Sequence, residues 1–515
     1  MVALDQLQRL QCVHRLDIVE VASHRTLIVR AEAMVAFDSL RDYCAPTNRT
    51  MNCRSPRAIT VALLALAFVY STALAQSNAA RTIEELRAQI EQHVTDPRFN
   101  ASLWGIRIES LDTGKILFDH HGDRLMSPAS NSKLYAGALA LDRLGGDYHI
   151  VTPLFATAKP DRSGMLKSDV IVSGRGDPSW KLRADETNFL AVFDPFVAAL
   201  TNAGVRRITG DLVADTTFFK GPPSGGSWTV DDLENSEGAE ISALTLLDNM
   251  TELRSLPGGK LGEPCTLALA HPHTGLTLVN HTTTTTNSSP RHIEARRVFG
   301  ESALHIYGQL PLGGTNEFTD VPVPGPAQWF ANGLKAALAQ HGIRVDGRAR
   351  SLRWPEASAV NANSIRLAEV ASPPLRELVK AFMKPSQNLE TDLIFDHVGE
   401  LSRTAETPAW RTSEELAVVA LEAFLRTNNL PAADLQFDEG SGLSRNNLTT
   451  ANLTAGLLKL MARHGASNDF VNALPIAGVD GTIRRRMKGT LAENNVRAKT
   501  GTLRWVNALS GYVTS

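Results

Sequence analysis

Three short motifs in this chain bring together the residue types that acyl transfer needs. In Ser130-Asn131-Ser132-Lys133 a serine and a lysine stand three apart, and on a helix that spacing puts hydroxyl and amine on one face. A serine hydroxyl is a poor nucleophile until a base takes its proton. Lysine can be that base only if its pKa falls from ~10.4 toward ~7, so the site must disfavour the ammonium by roughly 4–5 kcal/mol. Burial and a second nearby cation both push that way. Lys499-Thr500-Gly501-Thr502 lies in VRAKTGTLRWVNALSGYV, whose alternation predicts a strand. Gly501 would let a ligand approach the backbone closely, and an edge strand can pair with an extended peptide. Lys499 can hold a substrate carboxylate, and the Thr502 N–H can serve an oxyanion hole. Ser386-Gln387-Asn388 offers a hydroxyl to relay a proton and an amide to hold a substrate carbonyl. Ser444-Arg445-Asn446 has the same S-x-N pattern, but it sits in a Gly-rich loop, EGSGLSRNNL. The amphipathic flanks of the first favour Ser386.

Each motif alone is weak; chance supplies about one S-x-x-K in a chain of this composition. Their joint order, S-x-x-K then S-x-N then K-T-G, is the signature of active-site serine penicillin-recognising enzymes. The whole of 134–385 separates the first two motifs, far more than in class A β-lactamases or transpeptidases, so a long segment is inserted. In this the chain resembles the D-alanyl-D-alanine carboxypeptidase/endopeptidase family of the penicillin-binding-protein-4 type, peptidase family S13. MSPASNSKLY, SGRGDPSW (173–180), SPPLRELVKAFMKPSQN (372–388), EGSGLSRNN (439–447) and LPIAGVDGTI (474–483) all look like it. The resemblance runs from about residue 80 to the end.

That resemblance implies an α+β fold: a serine β-lactamase/transpeptidase-like domain of helices around a five-stranded antiparallel sheet, with two inserted, mostly β domains. It implies that Ser130 is acylated with Lys133 as its base, and that Ser386 and Asn388 relay the proton and orient the peptide. Lys499 and Thr500 would bind the terminal carboxylate beside Gly501, and the N–H groups of Ser130 and Thr502 would form the oxyanion hole. The substrates would be peptidoglycan stem peptides with D-Ala-D-Ala termini and cross-links, β-lactams would acylate the same serine, and no cofactor or metal is expected. Two departures stand out: Gln387 occupies a position that usually carries Asp or Asn, and the chain ends at Ser515, where the family continues with a further strand and a C-terminal helix. The expectation is a sheet lacking that strand and its covering helix.

The elements that must position these residues can also be read. Residues 81–94 carry Ile83, Leu86, Ile90 and Val94 at helical spacing. SLWGIRIESLDTGKILFDH alternates across an Asp-Thr-Gly turn and predicts a hairpin. MSPASNSKLYAGALALDRLG predicts a helix with Pro128 early and Gly145 at its end. Short strands punctuated by Gly, Pro and Ser fill 151–350, with a helix at about 327–341, and helical patterns return from 373. The domain reading is therefore 76–150 and 351–515 for the penicillin-binding domain and 151–350 for the inserted part.

Upstream, Met51 opens MNCRSPRAITVALLALAFVYSTALAQSN. Its basic n-region, apolar h-region and Ala73-Leu74-Ala75 predict a signal peptide at 51–75 and a periplasmic protein. Residues 1–50 are read as an over-extended upstream segment. Cleavage would leave Cys265 as the lone cysteine of four, excluding an intrachain disulfide. Lys+Arg 52 against Asp+Glu 54, net −2 with no basic block, argues against nucleic acid as a partner; peripheral membrane association remains compatible. Arg175-Gly176-Asp177 reads as a turn rather than an adhesion motif, and His271, His273, His120 and His121 as ordinary histidines. Trp228, Asp231 and Asp232 read as a turn or a substrate-lining loop. Two other functions compete with this reading: a catalytically impaired peptidoglycan-binding or scaffold protein of the same fold, and a β-lactamase, for which no deacylating Glu is assignable.

Overall fold

The computed structural model describes residues 25–31, 80, 82–298 and 300–514. The stretch 51–75, where the sequence predicts a signal peptide, and residues 1–24 and 32–50 lie outside the described residues; residues 25–31, part of the segment read as an upstream extension, form a sheet strand. The sheet next to the three motifs has five antiparallel strands: β1 (Arg25–Ala31), β2 (Gly105–Ser110), β3 (Ile116–His120), β4 (Arg497–Leu503) and β5 (Val506–Thr514), in the order β4-β5-β1-β2-β3. The hairpin forms as its alternation predicts, with Ile106 opposite His120. The K-T-G stretch is an edge strand, with Lys499 opposite Ser510 and Gly501 opposite Ala508. The middle strand is β1, with Ile28 opposite both Ile108 and Gly511.

Five helices pack around one another beside this sheet: α1 (Ser132–Leu144), α2 (Leu375–Met383), α3 (Asn388–Leu401), α4 (Ser413–Thr427) and α5 (Ala451–Arg463). Every residue of α1 from Ser132 to Leu141 is buried, as expected for a helix apolar on all sides at the centre of a core. Gly137 lets α2 approach it: a Cβ there would meet Met383 Cε at 3.2 Å and Phe382 Cζ at 3.4 Å. Gly145 follows α1 at φ 79 and ψ 156, an extended positive-φ conformation that glycine takes without a Cβ penalty. Thr412 and Glu415 cap α4 reciprocally. The helix expected over MSPASNSKLY begins later than its sequence suggests. Pro128 and a 3₁₀ turn, Ala129–Asn131, precede it, so Ser130 stands just ahead of the helix and Lys133 in its first turn.

The long segment between the first two motifs contains one unit that is less β-rich than the sequence implies. A second five-stranded sheet, built from 349–352, 212–215, 170–173, 151–156 and 365–371, is backed by helices Asp194–Asn202 and Pro326–Gln340. Trp180, Phe193, Phe196, Trp329 and Phe330 pack between them. The first of these helices is short, and its apolar residues are too few to show a period. Three three-stranded sheets make up the rest, and Thr282 to Thr285 lie in a strand, Thr277–Thr285, parallel to Ala303–Pro311. Among the described residues no helix is long and apolar enough to cross a membrane.

Candidate active site

The nucleophile turn is clamped from two sides. Ala129 has φ 46, so the chain bends sharply just before Ser130. On one side β4 presses against it: a Cβ on Gly501 would lie 2.3 Å from the Pro128 carbonyl oxygen. On the other, loop 439–447 is closer still, and a Cβ on Gly442 (φ +86) would lie 1.9 Å from the Ala129 carbonyl oxygen. Both glycines are thus dictated by close backbone approach. Asn131 Nδ2 ties the turn to β5 through Ser510 Oγ at 2.6 Å.

Lys133 is completely buried. Its Nζ lies 3.1 Å from Ser130 Oγ, 2.6 Å from Asn388 Oδ1 and 2.6 Å from the Ser441 carbonyl oxygen. Burial pushes its pKa down to about 8, against the opposing pull of the Asp392, Glu439 and Glu237 carboxylates. A neutral amine has two hydrogens and one lone pair. With both hydrogens given to the two carbonyl-type oxygens, the lone pair is left facing Ser130.

The other two motifs meet at a second buried lysine. Lys499 Nζ donates to Ser386 Oγ at 2.7 Å and to the Thr500 carbonyl at 2.6 Å. Burial, then the charge of Lys133, holds Lys499 well below the ordinary lysine range. Thr500 Oγ1 donates to Thr482 Oγ1 at 2.7 Å, and Thr482 comes from the LPIAGVDGTI stretch. Ser386 itself has φ 72, held between the end of α2 and the start of α3. Thr502 follows Gly501 on β4 and is exposed.

Ser130, Lys133, Ser386, Asn388, Lys499, Thr500 and Gly501 therefore converge in one site. Ser444 does not join it: it is buried in loop 439–447, with its N–H 3.3 Å from Glu439 Oε1. Sequence reasoning missed Ser441, Glu439 and Glu237. The first two lie in EGSGLSRNN, whose signals are its glycines, a competing S-x-N and its family resemblance, none of which points to Glu439 or Ser441, while Glu237 carries no signal. It comes from the inserted segment, where its carbonyl and its Oε2 accept from Asn388 Nδ2 at 3.1 and 3.2 Å. That fixes the amide so that Oδ1 faces Lys133. Elsewhere, Asp177 of the Arg-Gly-Asp tripeptide is buried, and Gly176 takes φ 80 in the turn. Asp232 accepts from the Thr229 N–H at 2.8 Å as a helix cap.

A serine against a buried lysine, with a second lysine on the adjoining edge strand, defines a serine acyl-transfer enzyme. The model of the D-Ala-D-Ala carboxypeptidase 3 (S13) family matches residues 86–515, and the chain belongs to that family. It is 31% identical over 476 residues to the D-alanyl-D-alanine carboxypeptidase of Actinomadura sp. (strain R39), covering 89% of this chain and 84% of that one. It is 26% identical over 443 residues to the D-alanyl-D-alanine carboxypeptidase DacB of Haemophilus influenzae, covering 80% and 82%. The crystal structure of penicillin binding protein 4 (dacB) from Haemophilus influenzae has the same fold, with a TM-score of 0.66 at 24% identity, covering 80% of this chain and 90% of that one.

Proposed function

We propose that this chain, a serine-type D-Ala-D-Ala carboxypeptidase of its family, trims and cleaves peptidoglycan stem peptides with Ser130 as nucleophile and Lys133 as general base. The observation that carries this reading is the three-way contact of Lys133 Nζ with Ser130 Oγ, Asn388 Oδ1 and the Ser441 carbonyl. Lys133 takes the Ser130 proton as Oγ attacks the D-Ala carbonyl carbon. The oxyanion so formed is held by the N–H groups of Ser130 and Thr502. The Ser386 hydroxyl, which accepts from Lys499, hands its proton to the departing amine and is replenished by the proton that Lys133 took from Ser130; Lys133, neutral again, then takes a proton from the water that hydrolyses the ester. Lys499 and Thr500 hold the terminal carboxylate. An arriving carboxylate offsets the burial that disfavours the Lys499 ammonium.

The substrates of this reading are D-Ala-D-Ala termini and D-Ala cross-links in the periplasm. β-Lactams would acylate the same serine; a second Haemophilus influenzae structure of this fold is a complex with a β-lactam. The test is labelling with a fluorescent penicillin beside Ser130→Ala, together with D-Ala release from a D-Ala-D-Ala peptide. A covalent band and D-Ala release, both lost in Ser130→Ala, are expected. A band that persists in the variant would overturn the assignment.

A further inference from the structure

If the Lys133 lone pair is to face Ser130, both amine hydrogens need fixed acceptors elsewhere. Asn388 Oδ1 is one, and it belongs to the S-x-N motif. The other is a main-chain carbonyl, that of Ser441, and what holds it is a carboxylate the mechanism has not used. Glu439 is completely buried. It accepts from the N–H groups of Ser441 at 2.8 Å, Gly442 at 2.7 Å and Ser444 at 3.3 Å, and from Asn447 Nδ2 at 2.8 Å. The Ser441 hydroxyl also donates to it. Asn447 closes the loop, accepting from the Asp438 N–H at 2.8 Å and reaching Ser132 Oγ in the nucleophile turn at 3.2 Å.

We propose that Glu439 is a positioning residue for acylation: by folding residues 441–444 around its carboxylate it aims the Ser441 carbonyl at Lys133 Nζ, and so aims the lysine lone pair at Ser130. This rests on the reading of Lys133 as the base. The charged groups facing Lys133 are Asp392 on α3, Glu237 from the inserted segment, Glu439 and, across the site, Lys499. Glu439 in turn faces the buried carboxyls of Asp392, Asp396 and Glu414. Lys133 is the one cation among those groups that Glu439's loop touches directly.

The experiment is single-turnover acylation by a chromogenic cephalosporin from pH 5.5 to 10, on the full chain and on Glu439→Gln, Glu439→Asp and Lys133→Met, with a melt of each. Glu439→Gln keeps the volume but loses the charge and one strong acceptor. Its plateau rate should fall about 10- to 100-fold, in the range that misplacement of a catalytic group costs. Its acid limb should move to lower pH, because a carboxylate that favours the Lys133 ammonium is gone. Glu439→Asp, which restores the charge, should recover most of the rate. A Gln variant with the wild-type plateau and limb would overturn the proposal. So would a loss that merely tracks the melted fraction with the limb unmoved. Acylation surviving in Lys133→Met would sink the base reading itself, whereas a dead Lys133→Met beside an unaffected Glu439→Gln would remove only the role of Glu439.

Discussion

Replacing Gly442 by alanine tests how tightly the nucleophile must be held. Gly442 has φ +86, and the added Cβ would sit 1.9 Å from the Ala129 carbonyl oxygen, where no real Cβ comes nearer than about 3.0 Å. Two costs follow. An L-residue at this φ costs roughly 1–2 kcal/mol. The overlap also requires the loop or the turn to move by about 1 Å, and it falls on the peptide immediately before Ser130. A misplacement of about 1 Å near the reacting atoms costs on the order of 10²-fold in rate. Gly145→Ala is the matched control: φ is +79, but nothing lies within 4 Å of the added Cβ. Gly145→Ala should lose about 1–2 kcal/mol in urea unfolding and Gly442→Ala more than that because of the overlap, while only Gly442→Ala should lose about 10²-fold in the rate of acylation by a fluorescent penicillin. If Gly442→Ala acylates at the wild-type rate, or if Gly145→Ala slows as much, the clamp does not govern reactivity.

Lys133, held down to about 8 by burial, should make acylation rise about tenfold per pH unit below that value and level off above it; a flat profile from pH 5.5 to 8 would contradict a lysine base. Asp177 is pushed up to about 6, chiefly by burial. A raised carboxyl pKa contributes stability in full below the unfolded value, and that contribution is lost as pH rises through 6, so Asp177→Asn should be near neutral at pH 4 and stabilising by up to about 3 kcal/mol at pH 8; equal effects at the two pH values in urea titrations would refute this. Tyr135 is buried with its hydroxyl 3.0 Å from Thr449 Oγ1 and 2.8 Å from Thr454 Oγ1, and Tyr135→Phe should cost about 1–3 kcal/mol by the same measurement without altering the acylation pH profile. Removing residues 1–75 takes away β1 and its ladders to β2 and β5, and at about 1 kcal/mol per lost bond the loss is of the order of a domain's whole stability, so a chain starting at Gln76 should melt far below the full chain; an unchanged Tm would show that β1 adds nothing.

What the sequence made legible follows from how local each determinant is. Ser130 and Lys133 are three residues apart, so helical spacing alone places amine near hydroxyl, and the structure shifts only the serine into the turn ahead of α1. The K-T-G strand was legible from its alternation. That Gly501 must lack a Cβ was not, because the reason is the Pro128 carbonyl from the far end of the chain. The same holds for Lys133's surroundings. Its requirement for a lowered pKa could be stated from chemistry, and burial supplies it, but the oxygens that take its hydrogens come from 388 and 441. Glu237 is more remote still: it reaches Asn388 from the inserted segment, and no periodicity encodes a contact across so much chain. β1 makes the point for the backbone. RTLIVRA carries a short unbroken apolar run without alternation, which announces no partner, and its place between β2 and β5 is decided by two edges that lie far from it in sequence. Reactive groups are thus written into short motifs, while the groups that aim them are set by long-range packing. The carboxylate of Glu439 is of the second kind: it is recognisable only once the loop is seen folded around it.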